Sequence, residues 1–229
     1  MKNIAIITAR GGSKRIPKKN IKEFCGKPII AYSIEAAINS GVYDEVMVST
    51  DSEEIAKIAK KYGAKVPFLR SEATSNDFAT TRDVLIEVVD EYKKLGKSFD
   101  IMTCIYPTAP FVTAEKLKNA VENLVKSDAD WLMPVVAYSF PPQRAVVIRN
   151  GSLEYQYPEF KNTRSQDLEP IYHDCGQFYV YRLDVFTGEK EGTGKILPLD
   201  MPEEETQDID NMSDWAIAEI KYQKFIENK

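Results

Sequence analysis

The amino-terminal stretch reads Ile4-Ala5-Ile6-Ile7-Thr8-Ala9-Arg10-Gly11-Gly12-Ser13-Lys14-Arg15-Ile16-Pro17-Lys18-Lys19-Asn20. An apolar run rich in β-branched residues ends in small residues, and a glycine pair and a basic loop follow. Residues 10–27 carry a net charge of +6, whereas the whole chain is −5 and the remainder therefore −11. Because glycines let backbone N–H groups approach phosphate oxygens, this loop predicts a polyanion site after the first strand.

The glycine pair does not fit the two common nucleotide-binding fingerprints, since both G-x-x-x-x-G-K-[S/T] and G-x-G-x-x-G are absent. Two interpretations remain at this point. The loop is a tight turn with solvated lysines, or it is a triphosphate cradle. In the cradle, the amides of Gly11 and Gly12 contact phosphates, and Arg10, Lys14 or Lys19 neutralise them. We favour the cradle, because several cations follow the first strand of an α/β pattern.

The composition narrows the class of protein. The chain has 229 residues, of which 43% are hydrophobic and 28% charged, as in a globular α/β domain with a sizeable core. The acidic balance argues against a nucleic-acid partner, and the sequence predicts neither a membrane span nor a signal region. Cys25, Cys104 and Cys175 are isolated thiols, as expected in the cytoplasm. His173 is the only histidine, so a hard cation must be held by carboxylates.

Strand and helix patterns alternate after the first loop. Apolar residues at helical spacing predict a helix that ends at Gly41, and Asp51 is expected to cap a helix that runs to Tyr62. The next predicted elements are strands at 45–49, 65–68, 101–106 and 131–136 and helices at 81–95 and 113–126. Four strand–helix units predict right-handed crossovers and a mostly parallel, three-layer sheet, with ligands beyond the carboxyl ends of its strands.

The rhythm changes in the second half of the chain. Asn150-Gly151 is a frequent hairpin turn. The predicted elements here are hairpin strands at 144–148 and 153–157, a strand at 178–181 and a final helix at about 213–226. Since no repeat or low-complexity linker occurs, we expect residues 1–229 to form one domain with a β-rich insertion at about 140–175.

Asp208 and Asp210 form a second candidate site. On an extended segment, side chains at i and i+2 point to the same face, so both carboxylates could meet one cation. Hard oxygen ligands suit Mg²⁺, which often takes one or two carboxylates plus substrate phosphates. The alternative is that the pair solubilises a loop and that Asp210 or Ser213 caps the final helix. Together with a phosphate cradle, the metal interpretation is favoured.

The third candidate is the polar, aromatic-rich segment 164–179. A long polar loop in a compact domain is often functional, and its aromatic residues argue against disorder. Arg164, Gln166 and Gln177 could hold a sugar that carries a carboxylate. His173 has two open interpretations, a structural residue beside Asp174 or a binding residue, and it is not assigned as a catalytic base.

These motifs resemble the CMP-sialic acid synthetases, the cytidylyltransferases that activate nine-carbon acidic sugars. The first loop resembles the family signature A-R-G-G-S-K-x-[I/L]-P-x-K-N over its full length. The weaker matches are Val48-Ser49-Thr50-Asp51 to V-S-T-D, Tyr106-Pro107-Thr108-Ala109-Pro110 to L-Q-P-T-S-P, and Asp208-Ile209-Asp210 with Asp214-Trp215 to the D-I-D metal motif. The resemblance covers about residues 2–220 and implies a three-layer, Rossmann-like nucleotidyltransferase fold.

Two positions depart from the sialic acid pattern. Tyr106 replaces a glutamine, and Cys175-Gly176-Gln177-Phe178-Tyr179 replaces N-G-A-I-Y. Both departures are more like the pseudaminic acid branch of the family. The resemblance therefore implies activation of pseudaminic acid, with neuraminic, legionaminic or ketodeoxyoctonic acid as alternatives. A non-catalytic nucleotide-sugar sensor is a further alternative.

The resemblance also implies the reaction and its residues. CTP and the sugar acid would give the CMP-sugar and pyrophosphate with Mg²⁺, in a homodimer whose 140–175 insertion crosses to the partner. The implied catalytic residues are Arg10, Lys19 and Asp210, and the implied metal ligands are Asp208 and Asp210. Nucleotide contacts fall on Ala9, Arg10, Gly11, Gly12, Ser13, Lys19, Asn20, Thr80 and Asp208. Sugar contacts fall on Tyr106, Arg164, Gln166, Gln177 and Phe178.

Overall fold

A seven-stranded sheet forms the centre of the computed structural model, which describes residues 1–227. Two short antiparallel pairs, β2 with β3 and β7 with β8, lie outside it. The strands are β1 Asn3–Thr8, β2 Glu23–Phe24, β3 Lys27–Pro28, β4 Glu45–Ser49, β5 Ile101–Ile105, β6 Trp131–Ala137, β7 Val146–Arg149, β8 Ser152–Tyr155, β9 Tyr172–Asp174, β10 Phe178–Arg182 and β11 Ile196–Asp200.

The α-helices flank the central sheet, and the last one continues into a π-helical segment, Gln223–Glu227. The α-helices are α1 Ile29–Ser40, α2 Glu53–Lys61, α3 Glu72–Ser75, α4 Thr81–Lys94, α5 Ala114–Lys126, α6 Leu183–Phe186 and α7 Met212–Tyr222. Within the described range, no helix has the length and apolar character that crossing a membrane requires.

The sheet order is β11-β6-β10-β5-β1-β4, and β9 pairs with β6. β1 runs parallel to both β4 and β5, and β11 runs parallel to β6. β10 lies antiparallel between β5 and β6. The predicted mostly parallel sheet is therefore confirmed, with antiparallel pairing where the chain returns through β9 and β10.

The alternation of side chains along β1 builds a core on each face of the sheet. Ala5 and Ile7 pack with buried residues of α1, α2 and α5. Ile4 and Ile6 pack on the opposite face with residues of α4. All four side chains are at most 1% exposed. Since successive strand residues point to opposite faces, one apolar run serves two layers of helices, and the three-layer prediction is confirmed.

Two local predictions were wrong, and part of one alternative interpretation is excluded. Residues 65–68 form no strand, only one parallel bridge between Met47 and Lys65, and Pro67 cannot donate to a longer ladder. Ser52, not Asp51, caps α2, because its hydroxyl accepts from the Ile55 N–H. The last helix is capped by neither Asp210 nor Ser213 but by Asn211, in a reciprocal arrangement with Asp214.

The predicted hairpin is confirmed as β7 and β8. Asn150 and Gly151 both have positive φ, 51° and 79°, which a two-residue turn of this kind requires. The hairpin exposes apolar side chains, with Ile148 78% and Leu153 70% exposed. It belongs to the insertion that leaves the sheet after β6 and returns through β9.

Candidate active site

The loop after β1 is held at the carboxyl end of the sheet by two polar contacts. The buried Asn20 donates from Nδ2 to the Arg10 carbonyl at 2.9 Å. The Gly11 N–H donates to Asp51 Oδ1 at 2.8 Å. A Cβ on Gly11 would lie 3.2 Å from the Ser52 Cβ, whereas one on Gly12 would meet nothing within 4 Å. Gly11 therefore packs against the next strand–helix turn, and Gly12 faces open space that a ligand could enter.

The cations of this loop all reach groups of the protein. Arg10 lies 2.8 Å from an Asp77 oxygen, and Lys14 contacts the other oxygen of that carboxylate. Together the two cations hold the pKa of Asp77 below its usual range. Lys18 points elsewhere, to Glu54 at 2.7 Å. Because exposed ion pairs of this kind contribute little to stability, phosphate oxygens can replace the carboxylates at low cost.

Lys19 joins the amino-terminal loop to the acidic motif near the end of the chain. Its Nζ donates to the Ile209 carbonyl at 2.6 Å, across 190 residues of sequence. Burial lowers the pKa of Lys19, and the carboxylates of Asp210, Asp208 and Asp214 oppose that shift. The neighbouring Arg15 lies 2.6 Å from Asp210 Oδ2. Lys19 and Asp210 therefore lie close together in the structure.

Ile209 explains how the two aspartates come to share a face. Its side chain is 1% exposed and packs with Ile16 and Trp215. With the central residue of the motif buried, Asp208 and Asp210 lie on the outer side of an extended segment. The Asp210 N–H donates to Asp214 Oδ2 at 2.9 Å, which fixes the backbone and leaves the Asp210 carboxylate for other partners.

Two cavities meet at the end of β5. The first, about 400 Å³, is lined by loop residues that include Arg10, Ser13, Lys19 and Asn20. The second, about 570 Å³, is lined by residues that include Gln177, His173, Asp208 and Lys221. Tyr106 and Thr108 line both. A ligand in one cavity therefore lies beside a ligand in the other, as a two-substrate reaction requires.

The comparisons with known proteins agree with this arrangement. Residues 4–221 match the family model described as cytidylyltransferase. The chain is also 39% identical over 228 residues to the pseudaminic acid cytidylyltransferase of Campylobacter jejuni, with 97% of each chain covered. The chain belongs to the cytidylyltransferase family. The resemblance seen in the sequence motifs is therefore confirmed, and the protein is a nucleotidyltransferase.

Further relatives of this cytidylyltransferase carry related names. It is 34% identical over 229 residues to the CMP-N,N'-diacetyllegionaminic acid synthase of Legionella pneumophila, covering 96% of this chain and 95% of the relative. A solved CMP-2-keto-3-deoxy-manno-octonic acid synthetase, complexed with CTP, superimposes with a TM-score of 0.71 at 19% identity, covering 99% and 100% of the two chains. The solved structure supports the nucleotidyltransferase fold.

Cytidylyltransferases generally use a divalent metal ion. Across residues 1–227, no group of three or more histidine, cysteine, aspartate or glutamate side chains is arranged to hold one. Asp208 and Asp210 nevertheless fit Mg²⁺, because both are hard oxygen donors and this ion commonly completes its shell with substrate phosphates and water. Arg15 occupies one oxygen of Asp210, so a metal there would share or displace that contact.

Two tyrosines lie beside the larger cavity of this cytidylyltransferase. The Tyr106 ring packs edge-on against that of Tyr179 at 5.8 Å, and the Tyr179 hydroxyl donates to Asp174 Oδ2 at 2.5 Å. Burial raises the pKa of both phenols. His173 donates from Nδ1 to the Asp174 carbonyl at 2.9 Å, and its ring lies 4.6 Å from that of Tyr138. These contacts order one wall of the cavity.

Several predicted contacts lie away from the two cavities. Arg164 is exposed in the insertion and pairs with Asp167 at 2.8 Å, and Gln166 lines a separate hollow. Thr80 caps α4, with its hydroxyl already bonded to Asp83. Ala9 is buried in the core, with 0% of the residue exposed.

The prediction that Phe178 contacts the sugar was wrong. Its side chain is 0% exposed and packs in the core with residues of α1 and α5. Phe178 pairs with Ile105 across the sheet, and its neighbour Gln177 lines the larger cavity. Consecutive residues of an extended segment point to opposite sides, so the two could not both face the ligand.

Sequence reasoning missed Asp77 and Lys221. Asp77 lies in a polar link with no periodic pattern, and only its contacts with Arg10 and Lys14 bring it to the loop. Lys221 lies on the last helix and donates to the carbonyls of Glu203 and Thr206 at 3.2 and 2.8 Å. Because cations are common in the last turn of a helix, nothing in the sequence distinguished Lys221 from an ordinary surface lysine.

Proposed function

We propose that this cytidylyltransferase is Mg²⁺-dependent and converts CTP and pseudaminic acid, a nine-carbon acidic sugar, to CMP-pseudaminic acid and pyrophosphate. The observation that carries the proposal is the convergence of the first loop with the D-x-D motif. Lys19 Nζ lies 2.6 Å from the Ile209 carbonyl, and Arg15 lies 2.6 Å from Asp210. This junction adjoins the cavity in which CTP would bind, and Tyr106 separates that cavity from the one for the sugar.

The transfer exchanges one phosphorus–oxygen bond for another. The anomeric hydroxyl oxygen of the sugar attacks the α-phosphorus of CTP and loses its proton to solvent or a base. The bond to the β-phosphate oxygen breaks, and pyrophosphate leaves with that electron pair. Arg10 and Lys19 would stabilise the charge that develops on the departing phosphates, a contribution of several kcal/mol in sites of this kind.

Asp208 and Asp210 would hold the metal ion. When bound, Mg²⁺ supplies positive charge at the phosphates and acidifies a coordinated hydroxyl. The chain's own contribution is to orient these carboxylates, through the buried Ile209 side chain and the Asp214 contact to the Asp210 N–H. Asn20 would fix the loop backbone against the nucleotide through its bond to the Arg10 carbonyl.

The choice of pseudaminic acid is supported by the relative at 39% identity and by the two departures from the sialic acid pattern, Tyr106 and the segment 175–179. The second candidate is CMP-legionaminate or CMP-N-acetylneuraminate synthesis. The legionaminic acid synthase at 34% identity over nearly the whole chain favours that candidate.

We further propose that residues 1–229 act as one domain in a cytoplasmic homodimer, without a nucleic-acid partner. The exposed apolar residues Ile148 and Leu153 of the insertion, at about 140–175, support a contact with a second copy. Arg164 and Gln166 of that insertion would then lie near the partner's sugar site. The free cysteines Cys25, Cys104 and Cys175 support a reducing compartment.

Pyrophosphate release from CTP tests the proposal. The purified chain would be assayed with Mg²⁺ and with pseudaminic, legionaminic, N-acetylneuraminic and ketodeoxyoctonic acids in parallel. We expect the highest kcat/KM with pseudaminic acid. If another sugar gives equal or faster pyrophosphate release, that sugar and not pseudaminic acid is the preferred substrate. Binding of CTP without pyrophosphate release from any of them would instead support a non-catalytic sensor.

A further inference from the structure

Gln177 occupies a rigid position at the wall of the larger cavity. It follows a turn in which Gly176 has a φ of +63° and donates its N–H to Asp174 Oδ1 at 2.8 Å. The Gln177 carbonyl accepts from the Tyr106 N–H at 2.9 Å. Only 2% of Gln177 is exposed. The backbone on both sides of its side chain is therefore fixed before a ligand binds.

The orientation of the Gln177 amide is also fixed. Its Nε2 donates to the Glu205 carbonyl at 2.9 Å. The Glu205 side chain lies 2.6 Å from Lys116 Nζ in an ion pair whose members are 8% and 15% exposed. Lys221 donates to the carbonyl on each side of this segment, at Glu203 and at Thr206. Rotating the amide by half a turn would place two acceptor oxygens against each other, so Oε1 points away from Glu205.

The second polar atom of this amide lacks a partner. Gln177 Oε1 is buried and accepts no hydrogen bond from residues 1–227. Buried polar groups in folded proteins are almost always paired, so an unpaired one needs a reason. Gln177 lines the larger cavity together with Tyr106 and Asp208. The missing partner is thus sought in the ligand of that cavity.

We propose that Gln177 is a specificity-determining residue whose Oε1 accepts a hydrogen bond from the acidic sugar. This inference rests on the proposed function. The sugar must present an O–H or an acylamino N–H donor at this point, since an ether or ester oxygen there would leave Oε1 unpaired. A site built to bond one donor discriminates strongly against an analogue that lacks it.

The same geometry excludes Gln177 as a partner of the sugar carboxylate. A carboxylate offers only acceptors, and the Gln177 amide donor is already used by Glu205. Lys221 supplies positive charge on the wall of the same cavity. The carboxylate of the sugar therefore lies on the Lys221 side, and the donor-bearing substituents lie toward Gln177.

Steady-state kinetics on the full chain tests this inference. Gln177→Met keeps the volume but removes both the Oε1 acceptor and the Nε2 donor to the Glu205 carbonyl, and Asn119→Met, on the exposed face of α5, is the control. We expect Gln177→Met to raise KM for the sugar about 10- to 100-fold, as loss of one buried hydrogen bond predicts. KM for CTP should match that of the control, whereas the melting temperature should fall, because the Glu205 carbonyl loses its donor. A merely structural role would instead raise KM for CTP and KM for the sugar together.

Sugar analogues give a second arm that needs no variant. Each acylamino N–H and each hydroxyl of pseudaminic acid except the anomeric one, which is the nucleophile, is replaced in turn by an ester or ether oxygen. We expect one replacement to lower kcat/KM sharply in the wild-type protein and to have little further effect in Gln177→Met. Tolerance of every replacement by the wild-type protein would overturn the inference, while leaving the proposed function intact. Absence of pyrophosphate release with the parent sugars would instead overturn the proposed function.

Discussion

The guanidinium of Arg15 lies 2.6 Å from Asp210 Oδ2, and this contact links the first loop of the chain to its last acidic motif. Both side chains are partly exposed, at 67% and 38%, so the pair adds little to stability. The effect of this contact is to position the Asp210 carboxylate. The contact holds the Asp210 carboxylate, which would help to hold a metal ion, beside the loop that we assign to the phosphates of CTP.

Asp210→Asn tests the assigned metal ligand. We expect turnover to fall about 10²- to 10³-fold, because the variant loses a carboxylate that would hold the metal ion. The helix cap should survive, since Asn211 and Asp214 form it. Pyrophosphate release and thermal unfolding would be measured beside Asp128→Asn, whose carboxylate pairs with Lys195 outside both cavities. Turnover of Asp210→Asn close to that of the control would remove Asp210 from the mechanism.

Lys19→Met tests the assigned phosphate contact, and Lys18→Met is its matched control. The two lysines are adjacent, but Lys18 pairs with Glu54 and does not line the 400 Å³ cavity. We expect Lys19→Met to lower kcat about 10²- to 10³-fold and Lys18→Met to have little effect. Similar losses in both variants would indicate a diffuse electrostatic effect of the loop instead of a specific contact.

A pH-dependent contribution to stability is predicted at Glu45. Burial raises its pKa, but hydrogen bonds from Lys65, Lys97 and Tyr92 outweigh that effect, and the net pKa is below the ordinary value of 4.5. A carboxyl group with a depressed pKa stabilises the fold above the unfolded-state pKa and loses this effect as the pH falls through the folded-state pKa.

Glu45→Gln should therefore lower the free energy of unfolding at neutral pH by about 1–3 kcal/mol. The difference from the wild-type protein should shrink as the pH falls below about 4.5. Denaturant titrations at neutral and acidic pH would measure it. A difference that stays constant over this range would assign the loss to packing and not to the charge.

The exposed apolar side chains of the β7–β8 hairpin are expected to form the contact of the proposed homodimer. Leu153→Lys should dissociate the proposed homodimer, because it places a charge in an apolar contact. Leu95→Lys is the control. Leu95 follows the last residue of α4 and is 56% exposed, whereas Leu153 is 70% exposed. Light scattering would give the mass of each variant. A monomeric wild-type protein would refute the dimer, and a dimeric Leu153→Lys variant would place the contact elsewhere.

Much of the fold could be predicted from local patterns. The apolar run of β1 indicated a strand covered by helices on both faces, as observed. Asn150-Gly151 indicated the turn of the β7–β8 hairpin. The position of β10 between β5 and β6 could not be predicted from the sequence, because strand order depends on contacts between distant segments. The strand predicted at 65–68 failed because short apolar runs are ambiguous without tertiary partners.

The candidate site was predictable where charge patterns decided it. The charge pattern indicated a basic loop near the amino terminus and an acidic D-x-D motif near the carboxyl terminus, and the structure brings Lys19 Nζ to 2.6 Å from the Ile209 carbonyl. The sequence could not show which of Phe178 and Gln177 faces the core and which faces the cavity. The pairing of β10 with β5 decides this. Asp77 had no sequence signal, because its role comes from two contacts across more than 60 residues.

A crystal structure with CTP and Mn²⁺ in place of Mg²⁺ would show whether the first loop and the D-x-D motif bind one nucleotide together. We predict an anomalous-scattering peak between the triphosphate and the carboxylates of Asp208 and Asp210, with the ammonium of Lys19 against a phosphate oxygen. A triphosphate bound away from Lys19, or a metal peak that touches neither aspartate, would contradict the account.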